Sequence, residues 1–357
     1  DDGHLPRPRR NIRVLLPPEI TGSYCYLATH EERIPKTVAA LNLDMVGENQ
    51  DLCKGPLLAE RPPAAGAGFA GDLLAAILAE VARRDARNLG GTGGYALFKW
   101  AVTPSSGGSD HYLFADPTVG IPCPMIIQWP DKFYHTSADT IDKVDPAMLR
   151  RSGILASAYA YAVAAAGEAE ALWLLNALSV EYRRALPLAL ADRPAAAAER
   201  PGAWIDRQMR FLLDRHREAL HAVRRLDRGA RVERLIATLR DDAERVARDE
   251  RDRARSAATW AVLPAADAAQ IDARDTAEWD ERARGLVYRR TVPGPLGMHW
   301  SARNLSAAGQ DEERAVLGRP GARTLTTLAL YWIDGRRTLL DVAELTEAES
   351  GLRDVEA

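Results

Sequence analysis

Cysteine is scarce in this chain: Cys25, Cys53 and Cys123 are the only three in 357 residues, and no two form a CxxC pair. That spacing argues against a disulfide framework or a cysteine-based zinc site and leaves buried free thiols as the expectation. Lysine is nearly as rare, with only Lys36, Lys54, Lys99, Lys132 and Lys143; every later basic residue is Arg. Alongside the alanine tracts, this reads as coding bias rather than chemistry. No apolar run approaches the roughly 20 residues that span a bilayer. The opening Asp-Asp-Gly-His-Leu-Pro-Arg-Pro-Arg-Arg has no hydrophobic segment of the kind a signal peptide needs. A cytoplasmic location and no membrane partner are therefore expected. A formal charge of −3 gives no reason to expect a nucleic-acid partner, and a homo-oligomer remains compatible with this composition. Apolar content of 46% and charged content of 27% are ordinary for a globular protein with a large core.

The first half alternates strand and helix signals. Ile12 to Leu16 is a short apolar run stopped by Pro17-Pro18 and is expected to be a strand. Tyr24 to Thr29 follows as a short helix. Val38 to Val46 is apolar on both faces, as in a covered parallel sheet. Leu73, Leu74, Ile77, Leu78 and Val81 recur at helical spacing. Pro104 to Ser109 is a Ser/Gly loop, and Met125-Ile126-Ile127 marks a third buried strand. Asp145-Pro146 supplies an N-cap and N1 proline for a helix from Ala147 to about Ala165. This alternation predicts an α/β sheet, mostly parallel and sandwiched by helices.

Beyond 167 the strand signals stop. Pro187, Pro194 and Pro201-Gly202 are expected to divide an Ala/Arg/Leu/Glu-rich region into two or three helices. Arg224 to Arg255 interleaves both signs of charge, which predicts a solvated helical hairpin laced with ion pairs rather than a nucleic-acid surface. From about 276, a glycine turn, an apolar segment over Leu325 to Trp332 and a helix start at Thr338 fit a small winged-helix-like module lacking its recognition helix and wing. DNA binding by that module predicts a basic face, yet residues 338–357 carry more acid than base. The expected domains are 1–167, 168–275 and 276–357.

The residues able to carry chemistry lie in the first part. Asp44 ends an apolar run, where open α/β sheets bind ligands. His135 follows an aromatic pair that includes Tyr134. Imidazole is a frequent zinc ligand, and Asp139 is placed to orient it or to cap a helix. Gly107-Gly108-Ser109-Asp110-His111 is a flexible loop whose adjacent Ser, Asp and His cannot form a triad with one another, so Asp110 fits a pocket wall. Glu19 ends the first run and would lie beside Asp44 if the two strands are neighbours. His30-Glu31-Glu32 imitates a ligand set but falls between elements and is expected at the surface.

The order Pro-Glu-x-x-Gly-Ser, Leu-Asn-Leu-Asp-Met-Val-Gly, Gly-Gly-Ser-Asp-His and Tyr-His-Thr-Ser-Ala-Asp-Thr, spanning Ile12 to Ala166, resembles the zinc exopeptidases of metallopeptidase family twenty-eight. That family contains di-zinc aminopeptidases and glutaminyl cyclases, and the chain looks most like its large bacterial branch with helical and winged-helix-like C-terminal regions. The resemblance implies one or two zinc ions and a peptide substrate that loses its N-terminal residue. It implies Asp44 and His135 as metal ligands, Glu19 as general base or ligand, and Asp110 as a substrate-pocket carboxylate, with His111 and Tyr134 beside the site. Asp139 is implied behind the histidine. The family carries two adjacent glutamates where this chain has Pro18 and Glu19. Its upstream His-x-Asp and bridging aspartate have no counterpart, because only eighteen residues precede Glu19. Two readings follow: a zinc-dependent aminopeptidase-like hydrolase, or a non-catalytic peptidase-like scaffold that binds a partner.

Overall fold

The computed structural model describes residues 5–66, 68–85, 97–191, 201–260, 273–295, 305–319 and 321–351. The chain packs as two compact units, Asp1–Leu178 with Ala219–Ile236, and Ser179–Glu218 with Ala237–Ala357.

The first unit is built on a four-stranded sheet. Its strands are β1 (Asn42–Asp44), β2 (Leu57–Glu60), β3 (Trp100–Thr103) and β4 (Met125–Gln128), in the order β1-β4-β2-β3. β1 pairs parallel with β4, and β2 pairs parallel with β3, while β2 and β4 run antiparallel. The helices α1 (Thr21–Thr29), α2 (Gln50–Cys53), α3 (Ala70–Asp85), α4 (His111–Ala115) and α5 (Pro146–Ala165) surround it. β2 and β4 are the buried centre, with Leu57, Ala59, Met125 and Ile126 essentially inaccessible. The Asp145 side chain accepts the Ala147 N–H, so α5 starts where its cap signal places it.

Three local expectations change. Residues 12–16 pair with no strand among the described residues, and Leu16 is 93% exposed. An apolar run becomes a strand only when a ladder partner takes its backbone groups, and Pro17-Pro18 removes two donors at its end. The second run shortens to β1, which sits at the sheet edge with Leu43 49% exposed, so it is not covered on both faces. Cys25 is exposed, whereas Cys53 and Cys123 are the buried free thiols expected. Burial pushes the Cys53 thiol up to about 11.

The second unit is helical over its described residues. It draws on parts of α6 (Glu168–Ala191), α7 (Pro201–Ala222) and α8 (Ala230–Trp260), followed by α9 (Ala273–Arg284), α10 (Ala307–Leu317), α11 (Ala322–Trp332) and α12 (Leu339–Ser350). Pro187 does not end α6. Leu186 and Leu190 flank it and pack into the cluster of Tyr182, Trp204, Ile205 and Met209, and this burial offsets the roughly 3 kcal/mol of an interior proline. Ion pairs such as Arg183–Asp242, Arg217–Glu244 and Arg245–Asp242 lace the helices, as the mixed charge predicts. Trp332 is fully buried, the guanidinium groups of Arg215 and Arg337 each lie over its ring, and its indole N–H donates to Glu349 at 2.9 Å. Thr338 caps α12 in a reciprocal capping box with Asp341 and forms an isolated bridge with Val287. Residues 296–304 and 352–357, part of the region expected to form a winged-helix-like module, lie outside the described residues.

His216 is buried flat against Tyr182, with ring centroids 4.3 Å apart and Nε2 without a partner. Burial lowers its pKa to about 4, with Asp242 opposing. The unfolded state takes up this proton first as pH falls, so the stability held by neutral His216 is complete above about 6.5 and is lost between about 6.5 and 4. At pH 5 the loss is expected to be about 2 kcal/mol. The denaturant midpoint of the second unit, measured at pH 7 and pH 5, should drop in the parent and change little in His216→Phe.

Candidate functional site

Three carboxylate or imidazole positions stand out because the backbone at each is strained. Among the described residues, four that are not glycine have positive φ: Ile20 (60°), Met45 (50°), Lys54 (76°) and His135 (54°). Lys54 is the left-handed C-cap of α2, an ordinary use of that conformation. The other three are the residue after Glu19, the residue after Asp44, and His135 itself. Such conformations cost about 1–3 kcal/mol each and persist where surrounding structure enforces them, most often at functional sites.

At Glu19 the enforcement is visible. Ile20 has φ 60° and ψ −65°, and the Thr21 N–H donates to the Glu19 carbonyl at 2.6 Å. Together these make a γ-turn of the rare, strained hand. A β-branched residue is the least tolerant occupant of its centre. Two contacts hold it there. The Ile20 side chain packs on the cluster of Leu27, Leu113, Phe114, Ile121 and Cys123. The Ile20 N–H donates to Asp110 Oδ1 at 2.7 Å, ninety residues away in sequence. A hydrogen bond to a charged acceptor contributes about 1.5–3 kcal/mol, enough to match the strain. Gly22 is required beside it, since a Cβ there would meet Pro17 Cβ at 2.6 Å.

Asp110 belongs to the Ser/Gly loop, which is pinned on both sides. Ser109 Oγ accepts from Asn42 Nδ2 at 2.8 Å. Asn42 and Asp44 share a face of β1, so the loop carrying Asp110 is tied to the strand face that carries Asp44. Ser106 donates to Glu60 twice, from its N–H and its hydroxyl, both at 2.7 Å. His111, 0% exposed, places Nε2 2.9 Å from Glu60 Oε1. The carboxylate can only accept here, so Nε2 is assigned the proton; Nδ1 has no partner. Burial by itself raises the Glu60 carboxyl, yet the hydrogen bonds from His111 and Ser106 outweigh it and hold it below its ordinary value. His111 therefore anchors the loop from inside and does not line an open pocket. Gly107 and Gly108, at φ 80° and 90°, supply the left-handed turn between the two pins.

Glu19 is exposed. Burial pushes the Tyr112 hydroxyl up to about 12, helped by Tyr24 and by the charges of Asp110 and Glu19. Asp44 is half-buried at the end of β1. The segment after it is fixed by the Gln128 amide, which donates to the Glu48 carbonyl and accepts the Glu48 N–H, both at 2.8 Å. The Ser152 hydroxyl of α5 donates to the Val46 carbonyl at 2.7 Å.

His135 sits in the loop leaving β4. That loop is joined to the segment after Asp44 by the Glu48–Val144 bridge and by the Asp145 N–H to Gly47 carbonyl bond, 2.8 Å. It also runs close over Gly55, where a Cβ would meet the Pro130 carbonyl at 2.1 Å. The imidazole stacks on Tyr134 at 3.7 Å, and Tyr134 meets Trp129 edge-on at 4.9 Å. His135, Tyr134 and Asp139 are all exposed. His30 stacks on Tyr26 and Glu32 pairs with Arg33, so His30-Glu31-Glu32 lies at the surface as expected.

Sequence reasoning missed Glu60, Ser106 and the strain at Ile20 and Met45. Glu60 ends the apolar run Leu57-Leu58-Ala59 before Pro62-Pro63, the same signal that singles out Asp44.

The donor chemistry of Asp44, His135 and Glu19 suits zinc. Even so, no group of three or more His, Cys, Asp or Glu among the described residues is gathered to hold a metal ion. These residues do not, as placed, fit a zinc site by themselves.

Residues 19–160 match the model of peptidase family M28, a segment of less than half of the chain. Two solved structures are similar to it. One is an aminopeptidase from Aneurinibacillus sp. strain AM-1, 26% identical over 41% of this chain and 30% of that one, with a TM-score of 0.28. The other is described as a "putative peptidase" from Clostridium acetobutylicum, 20% identical over 40% and 29%, with a TM-score of 0.28. The chain thus spans about 30% of the length of these structures. No curated protein matches. Among the described residues, no single helix is long and apolar enough to cross a membrane.

Proposed function

We propose that Glu19, Asp44 and His135 belong to the hydrolytic site of an aminopeptidase-like enzyme that releases N-terminal residues from peptides. The observation that carries this reading is the placement of left-handed backbone at Ile20, Met45 and His135, within the segment that matches peptidase family M28. In this reading the exposed Glu19 carboxylate takes the proton of the attacking water. The Asp110 carboxylate holds the turn behind it. The exposed Trp129, Tyr134 and His135 ladder offers an apolar face to the peptide. Zinc is what the family resemblance implies; among the described residues the donors do not form a three-ligand group. Two buried free thiols are in keeping with a reducing, cytoplasmic setting.

The test is digestion of a mixed peptide library by the purified chain, with and without added zinc, read by mass spectrometry. Loss of single N-terminal residues supports the reading. Internal cleavage, or none under either condition, overturns it. A second reading, a non-catalytic peptidase-like scaffold that binds a partner, is favoured by the lack of a three-donor group among the described residues. It predicts no cleavage of any peptide.

A further inference from the structure

We infer that Asp110 is a positioning residue: it grips the strained γ-turn at Ile20 and thereby sets the direction in which Glu19 leaves the backbone. The inference rests on the reading of Glu19 as a working carboxylate, but its structural half stands apart from that reading. A γ-turn with positive φ at isoleucine relaxes unless something holds it. The Ile20 N–H donates to the side chain of Asp110, at Oδ1, 2.7 Å away. That N–H opens α1, a nine-residue helix whose N-cap residue, Ile20, has no oxygen-bearing side chain of its own. Asp110 therefore accepts from another segment the N-cap N–H that the N3 side chain of a capping box would take locally, and its negative charge sits at the favourable end of the helix dipole.

The placement of Asp110 is itself over-determined. Ser109 on one side is bonded to Asn42 of β1, and His111 on the other is bonded inside the fold to Glu60. Asp110 makes no side-chain cap for its own helix α4, so its carboxylate is free for Ile20. The order of dependence runs from the buried Glu60–His111 pair to the loop, from the loop to Asp110, and from Asp110 to the turn that carries Glu19.

The test combines two readouts on the full chain. Exchange of the Ile20 amide, followed by NMR, should speed up on the order of 10-fold to 100-fold in Asp110→Ala, because the hydrogen bond to a charged acceptor is lost. Asp110→Asn keeps an acceptor oxygen and should recover most of the protection. In parallel, Asp110→Ala should lower kcat for N-terminal release with KM little changed, and Asp110→Asn should restore it. Ile20→Gly makes positive φ ordinary, so adding Asp110→Ala in that background should lower kcat by a smaller factor than in the parent. Unchanged Ile20 exchange in Asp110→Ala overturns the inference, as does an equal kcat loss in both backgrounds. If the parent cleaves nothing, the peptidase reading fails, and amide exchange alone decides whether Asp110 holds the turn.

Discussion

Replacing His111 with leucine is expected to destabilise the first unit by about 3–5 kcal/mol, the usual consequence of removing one partner from a buried charged hydrogen-bonded pair. His111 is fully enclosed and Glu60 is 4% exposed, so water cannot take over the lost bond. The carboxylate would keep only the two donors of Ser106. A buried carboxylate short of donors either carries a desolvation penalty or takes up a proton. Leucine fills most of the imidazole volume, so the loss is electrostatic rather than a cavity effect. Combining His111→Leu with Glu60→Leu should recover part of the loss, since no charge then stays buried without its partner. Denaturant unfolding of the four proteins measures this. A single-variant effect below about 0.5 kcal/mol, in the range of an ordinary surface substitution, would mean the pair contributes nothing.

The second large effect is on rate. Glu19→Gln keeps the size of the side chain and its place after Pro18, but amide oxygen has almost no basicity. Removing a general base lowers turnover by roughly 10²–10⁴-fold. Glu19 makes no buried contact whose loss could unfold the chain, because its side chain is exposed while Ile20 beside it packs inward. Unfolding midpoints should therefore be unchanged, and the rate alone should fall. Equal rates for the two proteins would place the base elsewhere.

Much of this architecture is legible in the residues, for identifiable reasons. Periodicity over Leu73 to Val81 and the Asp145-Pro146 cap are local signals, and α3 and α5 form where they point. The end of β1 at Asp44 is legible from its apolar run, but the pattern alone does not separate a ligand from a structural strand end, since Glu60 closes β2 in the same way. The run at 12–16 misleads because strand formation depends on a neighbour that local pattern does not reveal. β2 and β3 escape notice because neither carries an apolar β-branched pair like Ile126-Ile127 of β4. The γ-turn at Ile20 is invisible in sequence for a deeper reason. Isoleucine predicts the opposite backbone, and only Asp110, ninety residues away, with the core beneath the side chain, makes the turn tenable. Local preference loses to tertiary structure at the position where function is assigned, which is where such conflict is expected.

The most direct measurement is the rate of N-terminal residue release from one peptide by the parent chain and by Glu19→Gln, Asp44→Asn, His135→Ala and Glu31→Gln. The account predicts that each of the first three substitutions lowers the rate, Glu19→Gln by at least about 100-fold. Glu31→Gln, at the surface decoy, should match the parent. Equal rates across all five proteins would contradict the account, as would no release by any of them.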